Sequence, residues 1–160
     1  MVKYEKARKL QKHIDTVREK YMVDAASNNG VKRQLGTVLW LIDNHGVRVG
    51  GEKSADEADT VGASTLRVEH VKLEEPDIVI FDFLGKDSIR FYKRIKVPKL
   101  IYTNFEKLLA NKKGSAQVFS SINSTAINDY LKEFDKDFTA KVFRTRLASS
   151  IMFEALKSVK

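Results

Sequence analysis

The run from Ile78 to Tyr92, IVIFDFLGKDSIRFY, constrains the fold more than any other stretch of this chain. Val79, Phe81 and Phe83 alternate with Ile78, Ile80 and Asp82, and further on Ile89 and Phe91 alternate with Arg90 and Tyr92. Such period-two runs of β-branched and aromatic residues predict half-buried strands. Between them, Leu84-Gly85-Lys86-Asp87-Ser88 has the chemistry of a turn. The stretch therefore predicts an antiparallel hairpin that presents one lysine, Lys86, at its tip.

The hairpin extends to a sheet of at least three strands, over about 66–73, 78–84 and 88–97. LRVEHVKL alternates as the first strand, Glu74-Glu75-Pro76-Asp77 turns into the second, and Pro98 closes the third. Around the sheet the pattern is helical. Leu10, Ile14, Val17 and Tyr21 line one face of a helix over 3–23, with Lys6, Arg8, Lys9, Lys12, Arg18 and Lys20 as its solvated remainder. A second helix over 31–45 carries Leu35, Val38, Leu39, Leu41 and Ile42, and ends at Asn44 to Gly46. Residues 54–65 are small and polar and predict a loop. Thr103-Asn104-Phe105-Glu106 has the pattern of a capping box opening a helix to about 111. Ser124 is the expected cap of a helix to 134, and a last helix is expected over 139–158. The fold class is thus α+β, mostly helical with a small three-stranded antiparallel sheet. One domain is expected, helical over about 3–64, a sheet over 65–98, and helical again over 99–160.

Composition narrows the chemistry. The chain has 160 residues and no cysteine, which removes disulfides, thiolate metal sites and cysteine nucleophiles. No apolar run approaches the roughly 18 residues of a membrane span. The net charge is +8 and unevenly spread. Residues 1–50 carry ten Lys or Arg against five acids, and residues 76–120 nine against four, whereas 51–75 carry three against seven. A positive surface of this kind favours polyanions such as nucleic acid, or consists of solvated lysines alone.

Two motifs are rejected. Gly85-Lys86 suggests a nucleotide P-loop, but the spacing requires glycine where Ile80 stands and a helix where a strand follows. His13, His45 and His70 are not at metal-ligand spacing, and His70 alternates with strand valines as a structural residue. What remains is a set of cations at element boundaries: Arg48, Lys86 and Arg144, with Lys53 and Lys141. Arg48 lies between two valines, Val47 and Val49, and is expected to rest against the core. It then needs an anionic partner, either an internal one (Asp43, Glu52 or Asp59) or an external phosphate. Lys141 and Arg144 are three apart and share a helix face, which by spacing alone reads first as an exposed basic face. Two arginines and a lysine around one phosphodiester make chemical sense. Displacement at phosphorus builds charge on the non-bridging oxygens, which guanidinium forks match, and the leaving oxygen needs a proton.

KYEKARKL near the start, Arg48 in RVGGEK, ADTVGASTLRVEH at 58–70, FDFLGKDSIRFY at 81–92 and TAKVFRTRLAS at 139–149 together resemble the catalytic core of type IB DNA topoisomerases of the eukaryotic branch. The resemblance runs from about Lys3 to Ala155. It implies a fold shared with tyrosine recombinases, and an enzyme that relaxes supercoiled duplex DNA. One strand is cleaved transiently through a 3′-phosphotyrosyl link and religated, without ATP, metal or other cofactor. It implies that Arg48 and Arg144 are the active-site arginines and Lys86 the general acid. Lys53, Thr60, Asn128 and Lys141 fall where the family contacts the DNA backbone.

The sequence also departs from the family pattern. The family's catalytic histidine and nucleophilic tyrosine lie beyond the stretch matched by Arg144. Tyr4, Tyr21, Tyr92, Tyr102 and Tyr130 all match non-catalytic segments. The expectation is a catalytic-core fragment that lacks its nucleophile and is inactive alone, completed by a C-terminal segment or a second polypeptide. Arg146 and Leu147 stand where the family usually has Tyr-Asn, which places an extra cation near the scissile region, and Gly51 replaces an Asn. The expected partner is double-stranded DNA rather than membrane, and the expected location intracellular, the nucleus in a eukaryote. Alternatives are a non-enzymatic DNA-binding module of the same fold, or a recombinase or integrase core.

Overall fold

The computed structural model describes residues 3–48, 62–84 and 89–158. Two helices come first, α1 (Lys3–Ala25) and α2 (Gly30–His45). After α2 come β1 (Val71–Glu74), β2 (Ile78–Leu84) and β3 (Arg90–Lys96), followed by α3 (Lys99–Leu109), α4 (Ser124–Lys132) and α5 (Ala140–Ser158). The result is an α+β fold, mostly helical with one small antiparallel sheet of order β1-β2-β3.

On α1, Ala7, Leu10, Ile14, Val17, Tyr21 and Ala25 are all buried. Their alternation of three- and four-residue steps keeps them on one stripe, which lies against α2 and α5. The second helix is central, and every residue from Gln34 to Asp43 is buried. It crosses α1 at Gly36, where a Cβ would stand only 2.3 Å from the Ala25 amide nitrogen and 2.4 Å from the Tyr21 carbonyl oxygen. Only glycine admits this approach. Asn29 caps α2 by accepting from the amides of Val31 and Lys32.

The sheet register pairs Val79 with Ile95, Phe81 with Lys93 and Phe83 with Phe91. Val79, Phe81 and Phe83 turn inward, and Phe81 meets Phe105 of α3 edge-on at 5.8 Å between centroids. The opposite face carries Asp82, Arg90, Tyr92 and Arg94 to solvent. Leu84 pairs with Arg90, so the two strands face each other up to the connection that contains Lys86.

Three expected boundaries are corrected. The first strand is only Val71–Glu74; Val68–His70 forms a 3-10 turn, with the Arg67 amide donating to Nδ1 of His70 at 3.0 Å. The alternating residues before it pair elsewhere: Val118 N donates to Leu66 O, Val68 N to Ala116 O, and Glu69 N to Gly114 O. The third helix begins at Lys99, behind Pro98, not at Thr103. Asn104 is buried inside it and donates to Ala25 O and Thr37 Oγ1, both at 2.9 Å, so its polarity serves a helix contact rather than a cap. Asn123, not Ser124, caps α4, its side chain accepting from Ala126 N at 2.8 Å.

Candidate functional site

The last turn of α2 ends on Gly46, whose amide donates to Ile42 O and whose φ of 64° lies in the left-handed region. That conformation suits glycine, and a Cβ there would also crowd Leu147 of α5 at 3.3 Å. The reversed backbone turns the Gly46 carbonyl toward α5, where Arg144 Nε donates to it at 3.2 Å. Arg48 follows two residues later, half-buried, and its carbonyl accepts from Ala63 N at 2.7 Å. Two arginines distant in sequence are thus brought to one chain reversal, each fixed through backbone.

Beneath this corner lies Asp43, fully buried. One carboxylate oxygen accepts from Arg18 Nε at 2.7 Å and from the Tyr21 hydroxyl. The other accepts from Arg18 Nη2 and Arg146 Nη2, both at 3.2 Å. Arg146 also donates through Nη1 to Gln11 Oε1 at 3.0 Å. Burial first, then the Asp43 charge, pushes the Tyr21 phenol far above its ordinary range. The Arg18 guanidinium is held above its usual value mainly by its hydrogen bond to Asp43.

These contacts decide several expectations. Asp43 is not the partner of Arg48: its acceptor sites are taken by Arg18, Tyr21 and Arg146. No carboxylate among the described residues bonds the Arg48 guanidinium, and Glu52 and Asp59 lie outside them. The basic face of α1 is not simply solvated, since Arg18 binds Asp43, Lys20 binds Asp24, and Lys9 binds Asp135 and Asp137. Arg146 is not a surface cation; it is 6% exposed and sits inside the helical core.

The remaining candidates are dispersed around the corner or undescribed. Lys141 is exposed in the first turn of α5. Asn128 is half-buried, and its Oδ1 accepts from Ala140 N at 3.0 Å, which caps α5. Lys53, Thr60 and Lys86 lie outside the described residues. His45, whose ring lies 5.3 Å from that of Trp40, is pushed below its ordinary value by burial and then by the charge of Lys93.

Sequence reasoning ended α2 at Asn44 to Gly46 but did not draw the left-handed cap that a glycine directly after an apolar helix signals. It missed the Asp43 network, for which the available signal was Arg146 standing three residues after the buried Phe143, hence on its inward face.

The chain is thus mostly helical with a small antiparallel sheet, and Arg144 of α5 reaches the turn that leads into Arg48. The sequence matches over residues 1–160 the family model described as eukaryotic DNA topoisomerase I, catalytic core, and the chain belongs to that family. It is 45% identical over 159 residues to DNA topoisomerase 1 of Schizosaccharomyces pombe, covering 98% of this chain and 19% of that protein. To DNA topoisomerase 1 of Candidozyma auris it is 46% identical over 153 residues, covering 95% of this chain and 20% of the relative. The corresponding human protein is 40% identical over 163 residues, 98% of this chain and 21% of its own length. The chain therefore spans about a fifth of the length of these relatives.

Proposed function

We propose that this chain supplies the phosphate-holding part of an active site that nicks and reseals one strand of duplex DNA, so relaxing supercoils. The observation that carries the reading is the bond from Arg144 to the Gly46 carbonyl, which brings the α5 cation to the turn leading into Arg48. In this reading the two guanidiniums hold the non-bridging oxygens of one phosphodiester, where negative charge grows in the transition state. A tyrosine oxygen, its proton passing to solvent, bonds to phosphorus as the bond to the 5′-oxygen breaks, and Lys86 gives the leaving oxygen its proton. Reversal returns that proton and frees the tyrosine. The 3′-phosphotyrosyl ester stores the bond energy, so neither ATP nor a metal enters the scheme. Lys53, Thr60 and Lys141 would hold the flanking backbone. Asn128 would join them through its amide nitrogen, since its oxygen is engaged with Ala140. The site of action would be nuclear, with DNA.

In the same proposal the nucleophile comes from outside residues 1–160. The disposition of the tyrosines supports this. Tyr21 and Tyr130 are buried, and their hydroxyls donate to Asp43 and Asp24. Tyr102 is buried too, and Tyr92 lies on the solvent face of the sheet, 5.1 Å beneath the Arg90 guanidinium.

Mixed with a separate polypeptide carrying the family's histidine and tyrosine segment, the chain is expected to relax supercoiled plasmid; alone, it should form no covalent DNA adduct. Binding without relaxation in the mixture would reduce the chain to a DNA-binding module. An adduct formed alone, and lost on changing one of Tyr4, Tyr21, Tyr92, Tyr102 or Tyr130, would overturn the external nucleophile. In the reconstituted enzyme Lys86→Ala should slow single-turnover cleavage by about a hundredfold or more while leaving duplex affinity nearly unchanged.

A further inference from the structure

Arg146 differs from the other cations near the site in being nearly inaccessible, 6% exposed, and in bonding side chains from two other helices, Asp43 of α2 and Gln11 of α1. It cannot reach a DNA phosphate from there. Its place along α5 is informative. Arg144 and Arg146 bond Gly46 and Asp43, so two cross-links run between the same short pieces of α5 and α2. A helix turns about 100° per residue, so residues two apart point in very different directions, one toward the chain reversal and the other into the core. Fixing the inner one sets the rotation and height of α5 against α2, and with it where Arg144 meets the segment of Arg48.

A purely stabilising role accounts poorly for this arrangement. A buried ion pair gives back in attraction little more than its desolvation costs, but it fixes geometry because every alternative leaves charge unpaired. Here Asp43 is already served by Arg18 and Tyr21, so neutralising it does not require a third donor. Arg146 Nε is itself buried without a hydrogen bond among the described residues, a cost that the fold carries.

We propose that Arg146 is a positioning residue: through Asp43 and Gln11 it locks α5 onto α2 and so sets Arg144 against Arg48 for a shared phosphate. This inference rests on the phosphate-holding reading above. It accounts for a buried cation on α5 two residues after Arg144.

A double-mutant cycle on binding of a short duplex oligonucleotide tests it, using the 160-residue chain at a temperature where thermal melts show each variant folded. Arg146→Met is expected to weaken binding about fivefold and to lower the salt slope by about one, as Arg144→Ala does. Together the two changes should cost little more than either alone, since one acts through the other. Arg146→Lys, which keeps the charge but loses the fork, should fall between wild type and Arg146→Met, and it provides the cycle if Arg146→Met does not fold. Losses that add, or unchanged affinity beside a lowered melting temperature, would overturn the inference and leave Arg146 merely structural. If Arg144→Ala itself left affinity and salt slope unchanged, the phosphate-holding reading would fall first, and this one with it.

Discussion

Asp43 and Asp82 both receive an arginine fork, and the distances are alike. Arg18 approaches Asp43 at 2.7 and 3.2 Å, and Arg90 approaches Asp82 at 2.9 and 2.8 Å. The surroundings differ. The Asp43 side chain is 0% exposed, its fork partner Arg18 39% and its second partner Arg146 7%, whereas Asp82 and Arg90 are 46% and 63% exposed on the outer face of the sheet. On the sheet, water solvates either charge as well as its partner does, and the pair orders little. In the helical corner no water replaces a lost donor, so each partner constrains all the others. Geometry of contact is therefore a poor guide to consequence; burial decides which fork holds the site together.

The largest expected effect comes from removing the buried acceptor. Asp43→Ala strands Arg146 and the Tyr21 hydroxyl in the core and should cost about 3–5 kcal/mol in urea-induced unfolding, comparable to much of a small domain's stability. A midpoint close to wild type would show that the corner is held by packing alone, and would erase the contrast with Asp82.

An intermediate effect is expected from His45, one residue before the Gly46 turn. Burial, then the Lys93 charge, lowers its folded value below the ordinary 6.5. The unfolded chain then binds the proton more readily. The His45 contribution is full above pH 6.5 and is lost as pH falls from there toward the lower folded value. His45→Gln should flatten that fall in a pH series of thermal melts. A smaller slope should remain, because His70 is also lowered, chiefly by burial and then by Arg67. An unchanged slope would assign the whole effect to His70.

The smallest effect belongs to the exposed pair. Arg90→Ala should leave the denaturant midpoint unchanged at neutral pH, with melts at low and high salt overlaying those of wild type. The hydrogen bond from Arg90 lowers the Asp82 carboxyl below 3.8, so any contribution is present above that value and is lost only as pH falls below it. A marked, salt-sensitive loss at neutral pH would mean that the sheet face is ordered electrostatically after all.

Elements with a long, regular period were legible from the chain. Leu10, Ile14, Val17 and Tyr21 appear on the buried stripe of α1, and Val79, Phe81 and Phe83 on the inner face of β2. The boundary at Val71 was not, because LRVEHVKL alternates throughout; pairing of its first half with residues 114–118 is a long-range event that local alternation does not encode. Nor was the start of α3, where Thr103-Asn104-Phe105-Glu106 has the pattern of a capping box and Asn104 is instead a buried donor to α1 and α2. The family was also readable, because the matching stretches are long and contiguous.

The amino-acid sequence by itself thus determined the period of each helix and strand, the excess of positive charge and the cations available to a phosphate. Those properties are local or additive. The tertiary structure alone decided which charges are spent inside the molecule. Arg18 and Arg146 converge on Asp43 from two helices, while Arg144 is turned to the Gly46 carbonyl beside Arg48. Spacing along the chain carries no information about that choice. Whether a guanidinium meets a carboxylate, a carbonyl or solvent depends on which helices pack together and on how deeply water is excluded between them.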